Sequence, residues 1–417
     1  MSLSVDTMRT IDHRVGVPLC ALFTPIVILL DWVGRLFSSA PLAPRKVLFI
    51  ELSEMGSAII VDPAMRDTQA RGAEIFFLIF KNNRASLSLL NTVPDQNIFT
   101  IDSNSVVRLA LDTLKFFLWA RARKIDTVID LELFSRFTAL LTGLSGARRR
   151  VGYHIFHGEG LWRGNMLTHK VHYNPHIHIA KNFLSLVHAA FSTDQEKPFS
   201  KIHISDEAIK IAQAVIDPAM RLALRSRIEQ LASEAGIQFR HGAHPLFLVN
   251  PNASELLVQR RWAPERFSAL IEALHRTWPD SLILITGSPA EHQYVENVRL
   301  VAQISSALNF AGHVSFAELP ALYSLADVMI TNDSGPGHFS SVTGLHTVVL
   351  FGPETPALYG SLGKSIPITA QLACSPCVSA ANHRKTPCSD NVCMQAITVT
   401  QVMEKVAIQF AAARIHE

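Results

Sequence analysis

"TNDSGPGHFSSVTGLHTVVLFGP", Thr331 to Pro353, decides how this chain folds. The apolar run "DVMIT" feeds an aspartate, a serine and two glycines, then a helix-like segment, then a second apolar run. Strand, tight turn, helix and strand in succession are the signature of a parallel sheet with crossover helices. In such sheets ligands sit beyond the carboxyl ends of the strands, where loops run into helix N-termini. Gly335 and Gly337 carry no side chains, so backbone N–H groups there can approach an anion closely. A helix beginning near His338 would aim its positive end at the same place, which suits a phosphate or diphosphate. Asp333 would repel phosphate at contact and is better matched to sugar hydroxyls beside it. The same residues equally suit a plainer arrangement, with Asp333 and Ser334 capping the helix and the glycines making a turn.

The pattern repeats outward from this stretch. "KVLFIEL", "AEIFFLIF" and "DTVIDLEL" read as strands of a first domain. "HPLFLVNPN", "DSLILITGS", "DVMITND" and "HTVVLFGP" read as strands of a second. Between them "PERFSALIEALHRTW" places Phe267, Leu270, Ile271 and Leu274 on one helical face. Apolar strands alternating with amphipathic helices predict α/β domains whose parallel sheets are covered on both faces. A chain of 417 residues suits two such domains. The expected division is an apolar helix and linker over 1–45, a first doubly wound domain over 46–240 and a second over 241–398. A C-terminal helix over 399–417 would cross back to brace the first domain. The boundary is expected near "GIQFRHGAHP", Gly236 to Pro245, with the two domains facing a cleft.

Net charge is only +3, and no basic face interleaved with aromatics stands out, which argues against nucleic acid as a partner. "RRR", Arg148 to Arg150, reads as a solvated loop ahead of the strand-like "VGYH". The leader "VGVPLCALFTPIVILLDWVGRLF", Val15 to Phe37, is almost wholly apolar until Asp31 and Arg35. Its uninterrupted part falls short of the ~20 residues that span a bilayer. Pro18 and Pro25 weaken it as a helix. It is read as a helix lying in one leaflet, with Arg35, Arg45 and Lys46 near headgroups; a helix packed on the protein itself is the alternative.

Three segments, in order, resemble glycosyltransferase family 9, the relatives of ADP-heptose:lipopolysaccharide heptosyltransferases. "NDSGPGHFSSVTGLHTVVLFGP" is similar to that family's D-S/T-G-P-x-H, A-x-G and LFGP segment. "LVNPNASELLVQRRWAPERFSALIEAL" resembles its strand, N/G-P-x-A-S, K-R-W-x-x-E-x-F and helix segment. "VLFIELSEMGSAIIVDPAMR" resembles its N-terminal I-x-x-x-x-x-M/L-G-D and following proline. Together they span most of Lys46 to Pro353. The resemblance implies a GT-B fold, with a nucleotide-sugar donor held mainly by the second domain and the acceptor entering from the first. It implies metal-independent inverting transfer, with no cofactor because the nucleotide sugar is a substrate.

Residue by residue, the resemblance assigns Ser334, Gly335 and Pro336 to the phosphate-contacting loop and Asp333 to the donor sugar. His338 is a secondary phosphate candidate. Arg260 matches the basic residue two before the tryptophan, expected at the diphosphate, and guanidinium suits a bidentate grip there. Arg261 is as good a cation chemically. Ser254 sits where family hydroxyls approach phosphate, and Glu291 where a carboxylate holds the ribose; a turn serine and a helix-start glutamate would look the same. Trp262 is read as a packing residue.

The departure from the family lies at Ser57, which stands where the resemblance places the catalytic aspartate. A serine hydroxyl with no partner to lower its pKa is no general base at neutral pH. Glu54, in the same loop, is the preferred substitute, ahead of Glu51 and Asp62. "CSPCVSAANHRKTPCSDNVCM" places Cys374, Cys377, Cys388 and Cys393 around His383, a spacing compatible with zinc but better read as packing or occasional disulfides. In the loop "VGYHIFHGEGLWRGN", His154, His157, Glu159, Trp162 and Arg163 are candidates for a glycolipid headgroup.

The function expected is transfer of a heptose from ADP-heptose to a lipopolysaccharide-type or other glycolipid acceptor. Its place would be the cytoplasmic face of the inner membrane, with peripheral membrane contact. Two alternatives share the scaffold: a non-hydrolysing nucleotide-sugar 2-epimerase, and a non-catalytic nucleotide-sugar-binding protein, which Ser57 would suit.

Overall fold

The computed structural model describes residues 5–36, 43–52, 55–133, 135–156, 161–193, 198–253, 255–379 and 385–415. Two helices precede the first sheet, α1 (Val5–Arg14) and α2 (Gly16–Leu36). Pro18 does not interrupt α2, because it lies in the first turn, where an N–H has no helical partner. Pro25 lies inside a helix that continues past it, contrary to the weakening expected from the sequence.

The first sheet is built from β1 (Lys46–Ile50), β2 (Glu74–Phe80), β3 (Ile98–Ile101), β4 (Thr127–Asp130), β5 (Arg149–Tyr153) and β6 (His169–Val171). All pairs are parallel, in the order β3-β2-β1-β4-β5-β6. The connecting helices are α3 (Met55–Ile60), α4 (Asp62–Ala70), α5 (Val106–Ala122) and α6 (Arg136–Leu144), and α7 (Ile179–Phe191) follows β6. Helix α4 packs on α7 and α5 on α6, and right-handed crossovers place these pairs on opposite faces of the sheet. Burial on both sides is why β1 and β2 read as near-continuous apolar runs.

After α8 (Pro218–Glu234) comes the second sheet. Its strands are β7 (Leu246–Asn250), β8 (Leu282–Ile285), β9 (Ala307–Asn309), β10 (Val328–Asn332), β11 (His346–Phe351) and β12 (Ser365–Thr369). Its order, β12-β11-β10-β7-β8-β9, places the strands as in the first sheet: third, second, first, fourth, fifth, sixth. Both sheets therefore reverse direction between their first and fourth strands, β1 with β4 and β7 with β10, and such switch points are where open α/β sheets bind ligands. Around this sheet lie α9 (Pro264–Thr277), α10 (His292–Ala302), α11 (Leu319–Leu325), α12 (Gly335–Phe339), α13 (Pro356–Tyr359), α14 (Val392–Gln395) and α15 (Val399–Arg414). Phe267, Leu270, Ile271 and Leu274 of α9 are buried, as their spacing requires.

Three expectations are corrected. The main division between the two compact units falls between Lys210 and Ile211, upstream of the expected boundary, and Ser379–Arg384 groups with the first unit. Helix α8 belongs with the second unit because Arg221 donates to the Ser324 hydroxyl and Arg227 pairs with Glu318 at 3.0 Å. Helix α15 packs on β11 and α9 of the same unit, and Gln409 bonds His346 and the Thr347 carbonyl, so it groups with the second unit rather than the first. Arg149 and Arg150 are buried rather than solvated. Arg149 donates to the Ala190 and Ser192 carbonyls, and Arg150 to Met166 O, Ala147 O and Asp31.

Candidate functional site

The site in the second unit grows from the carboxyl ends of β7, β10 and β11. Asn332, the last residue of β10, donates to the Pro251 and Asn252 carbonyls and accepts from the Trp262 N–H at 3.1 Å. This one amide ties the β10 exit to the loop after β7 and to the turn before α9. Trp262 is fully buried, its indole N–H bonded to Ile397 O, which makes it a packing residue.

That bracing sets Arg260 among acids. Its Nη2 lies 3.0 Å from Glu354 Oε2, its Nε 3.7 Å from Asp333 Oδ2, and its Nη1 donates to Asp333 O. All three residues are buried. Two carboxylates against one guanidinium leave the cluster with formal charge −1. It therefore suits hydroxyl recognition as it stands, and a phosphate would have to take the guanidinium from one of the acids. Arg261 is engaged elsewhere, donating to the Ala253 carbonyl.

The loop after β10 differs from its reading in two respects. Helix α12 starts at Gly335, before His338, and runs five residues, so its dipole is small. The Gly337 N–H closes the turn onto Ser334 O at 3.1 Å, and a Cβ there would meet only ordinary contacts. Gly335 is the constrained glycine: a Cβ would approach the Phe339 ring to 2.9 Å. Ser334 Oγ donates to Asn332 O, and the Ser341 hydroxyl donates to the His338 carbonyl. Glu291 accepts from the Ser288 N–H at 2.7 Å in a capping box, the helix-start role that competed with ribose binding. Ser254 lies outside the described residues.

The cysteine-rich segment clamps the turn that carries Arg260. Asn391 donates to the Gln259 and Arg261 carbonyls, and Gln259 donates to Cys388 O. Cys393 and Met394 pack so closely on Gly352 that a Cβ there would lie 2.5 Å from the Met394 sulfur. His383 lies outside the described residues. Among the described residues no group of three His, Cys, Asp or Glu side chains is placed to hold a metal.

In the first unit the carboxyl ends of β1 and β4 carry a second polar cluster. Asp130 is fully buried. Arg163 reaches it by an ion pair and also donates to Glu132 O, to Ser135 O and to the Thr138 hydroxyl. Burial pushes the Asp130 carboxyl up, against the pull of the Arg163 guanidinium. Glu132 Oε1 accepts from the Leu52 N–H at 3.0 Å, which brings a buried carboxylate to the end of β1, the strand that leads to Ser57. Nothing in the residue pattern had singled out Glu132 or Glu354; an acid just past the end of a parallel strand is the signal that points to both. Asp62 is fully buried between Arg66 and the Thr92 hydroxyl, so its carboxylate is structural. Glu54 lies outside the described residues, as do His157 and Glu159.

Of the other acceptor-loop candidates, His154, Trp162 and Arg163 line a cavity of about 320 Å3 with Tyr153 and Leu167. Burial, with Lys170 adding to it, pushes His154 down to about 4, so it is neutral at ordinary pH.

Comparison with known proteins gives this geometry a family. The sequence profile of Glycosyltransferase family 9 (heptosyltransferase) matches residues 115–386, more than half of the chain. Lipooligosaccharide heptosyltransferase 2 of Campylobacter jejuni is 26% identical over 164 residues, 38% of this chain and 49% of that protein. The chain thus spans about half the length of that curated relative. Lipopolysaccharide core heptosyltransferase OpsX of Haemophilus influenzae is 20% identical, covering 79% of this chain and 86% of its own. The solved structure of Escherichia coli ADP-heptose lps heptosyltransferase II superposes with a TM-score of 0.66 at 17% identity, covering 88% of this chain and 99% of that one, which supports the GT-B fold. With Asp333, Arg260 and the turn between β10 and β11 all inside the matched region, the chain belongs to glycosyltransferase family 9, the heptosyltransferase family.

Proposed function

We propose that the protein transfers a heptose from ADP-heptose to a lipopolysaccharide-type glycolipid acceptor at the cytoplasmic face of the inner membrane. The observation that carries the reading is the buried Arg260–Asp333–Glu354 cluster at the carboxyl ends of the second sheet, in the region the family profile matches. Asp333 accepts from hydroxyls of the donor sugar. Ser334, Gly335, Pro336 and His338 line the diphosphate, and Glu291 gives up its bond from the Ser288 N–H to face the ribose. Arg260 exchanges a carboxylate for the diphosphate as negative charge develops on it. The acceptor oxygen bonds to the anomeric carbon with inversion, the bond from that carbon to the diphosphate oxygen breaks, and ADP leaves with the electron pair.

Calorimetric titration of ADP-heptose into the wild type and Asp333→Ala tests this. Tight binding that weakens by at least about tenfold in the variant is the expected result, the loss of one or two charged hydrogen bonds. Preference for a UDP-, GDP- or CMP-sugar would overturn the heptose assignment, and no binding of any nucleotide sugar would overturn the donor site.

The acceptor proton goes to a carboxylate at the end of the first sheet, because Ser57 cannot hold it. Glu54 and Glu132 are the candidates. Glutamine at the true base should lower acceptor-dependent ADP release by about 10²–10⁴-fold with donor affinity unchanged, while Ser57→Ala leaves the rate nearly intact. If neither glutamine variant slows turnover, the base lies elsewhere. If the wild type binds donor and releases no ADP with acceptor present, the protein binds without transferring.

A further inference from the structure

The helical stretch Thr7–Gly34, most of α1 and α2 together, is long and apolar enough to cross a membrane, yet one face of α2 is committed to the protein. Gly16, Cys20, Thr24, Val27 and Asp31 recur at intervals of four and three residues, one stripe of a helix. Every one of them is docked. A Cβ at Gly16 would lie 2.8 Å from Arg136, and the Cys20 thiol donates to Arg136 O. Thr24 Oγ1 accepts from Asn165 N at 3.1 Å, and Val27 packs in a cluster with Ala139, Leu140 and Met166. Asp31 pairs with buried Arg150. Upstream, Asp12 of α1 caps α6 through the Arg136 and Phe137 N–H groups and pairs with the Arg136 guanidinium at 3.2 Å.

The opposite stripe has the same period and the opposite character. Leu22, Ile26, Leu29, Val33 and Leu36 are 57, 43, 59, 38 and 62% exposed. The bulky aliphatic face of α2 thus points outward and the small and polar face inward, the reverse of a helix on a water-soluble surface.

We propose that α2 is an in-plane membrane anchor: its outer stripe enters one leaflet of a bilayer while its inner stripe stays docked on α6. Charge and shape select lipid as the occupant. Asp12 and Asp31 are turned inward onto arginines, whereas His13 and Arg14 at the end of α1, just before α2, are exposed, so the outward charge is basic and complements anionic headgroups. Exposed Trp32 sits near the other end, and Trp favours the headgroup level. Ile28 and Trp32 also line a cavity of about 590 Å3 with Phe156, Phe199, Asp31 and Lys170, so the outer face continues into a space with apolar side chains and one charge of each sign. Helix α5, which also packs on α6, carries a second exposed stripe of Val107, Leu111, Leu114 and Leu118. A helix docked along four turns cannot be ringed by lipid, which rules out a span.

The inference deepens the proposed reading by naming where the acceptor's bilayer meets the chain, and its test uses neither donor nor acceptor, so the two stand or fall separately. The full chain is floated with phosphatidylcholine vesicles, with and without phosphatidylglycerol. The wild type should rise with the vesicles, more so with the anionic lipid. A variant carrying Leu22→Asn, Leu29→Asn and Leu36→Asn should partition at least about tenfold less while melting as the wild type does. Equal flotation of the two proteins would overturn the anchor. So would a wild type that stays in the aqueous phase as a dimer that the variant converts to monomer, since a second copy would then cover the face. For orientation, Ile26→Trp in a Trp32→Phe background is read with brominated lipids, with Trp32→Phe as the blank. Added quenching strongest from bromines near the headgroups fits an in-plane helix; quenching strongest from the deepest bromines would overturn it.

Discussion

Arg260→Met should destabilise the second unit by about 3–5 kcal/mol, the usual cost of removing one partner from a buried ion pair. The guanidinium is the cation the structure places between Asp333 and Glu354, both buried. Methionine fills much of its volume but withdraws the guanidinium from two buried carboxylates. The sign with pH follows from this. In the variant the folded state holds protons on those carboxyls more tightly than the unfolded chain does, so stability should recover as pH falls. Adding Glu354→Gln should restore part of the loss at neutral pH, because one stranded charge is gone. Chemical denaturation of the three proteins across pH measures this, and a single variant as stable as wild type at neutral pH would show that the cluster is not held by its arginine. Donor affinity should fall in Arg260→Met and stay low in the double variant. That separates the phosphate role of Arg260 from its structural one.

The second large effect is expected at Arg163→Met, again about 3–5 kcal/mol, now in the first unit. Arg163 is the guanidinium paired with Asp130, and it also bridges Glu132 O, Ser135 O and the Thr138 hydroxyl. Burial already pushes the Asp130 carboxyl up. A carboxyl raised in the folded state favours folding in acid, and that contribution disappears as pH rises through the folded value. Without Arg163 the carboxyl rises further, so the variant should approach wild-type stability in acid and fall away as pH climbs. Asp130→Asn in the variant background should flatten that slope. A pH-independent deficit, unchanged by Asp130→Asn, would mean that Arg163 acts through its carbonyl contacts alone.

What could be read from the sequence follows burial. The strands β1, β2, β4, β7, β8, β10 and β11 are inner or nearly inner strands, covered on both faces, and their apolar runs were plain. The edge strands were not: β6 is "HKV", β9 is "ALN", and β12, "SIPIT", carries a proline that only an edge tolerates. The domain boundary was placed late because α8 is tied to its unit by Arg221 and Arg227, long-range bonds with no local signature. Asp333 and Arg260 were legible because they sit in short motifs around a strand end. Glu354, in "GPETP", looks like any turn residue, and only the folded register of β10 and β11 brings it to Arg260. Arg149 and Arg150 misled because adjacent arginines suggest water, whereas here each meets carbonyls or a carboxylate inside.

The clamp formed by Asn391 on the carbonyls flanking Arg260 sets how this protein can be divided. The family profile stops at residue 386, but Asn391, the Ile397 carbonyl that receives both Trp262 and Arg266, and the whole of α15 lie beyond it. A fragment cut at the end of the homology would lose the outer wall of the Arg260 turn and the cover over β11 together. The smallest autonomous piece of the second half therefore extends through Arg414, whose ion pair with Asp327 at 2.9 Å fastens the last helix to the start of β10.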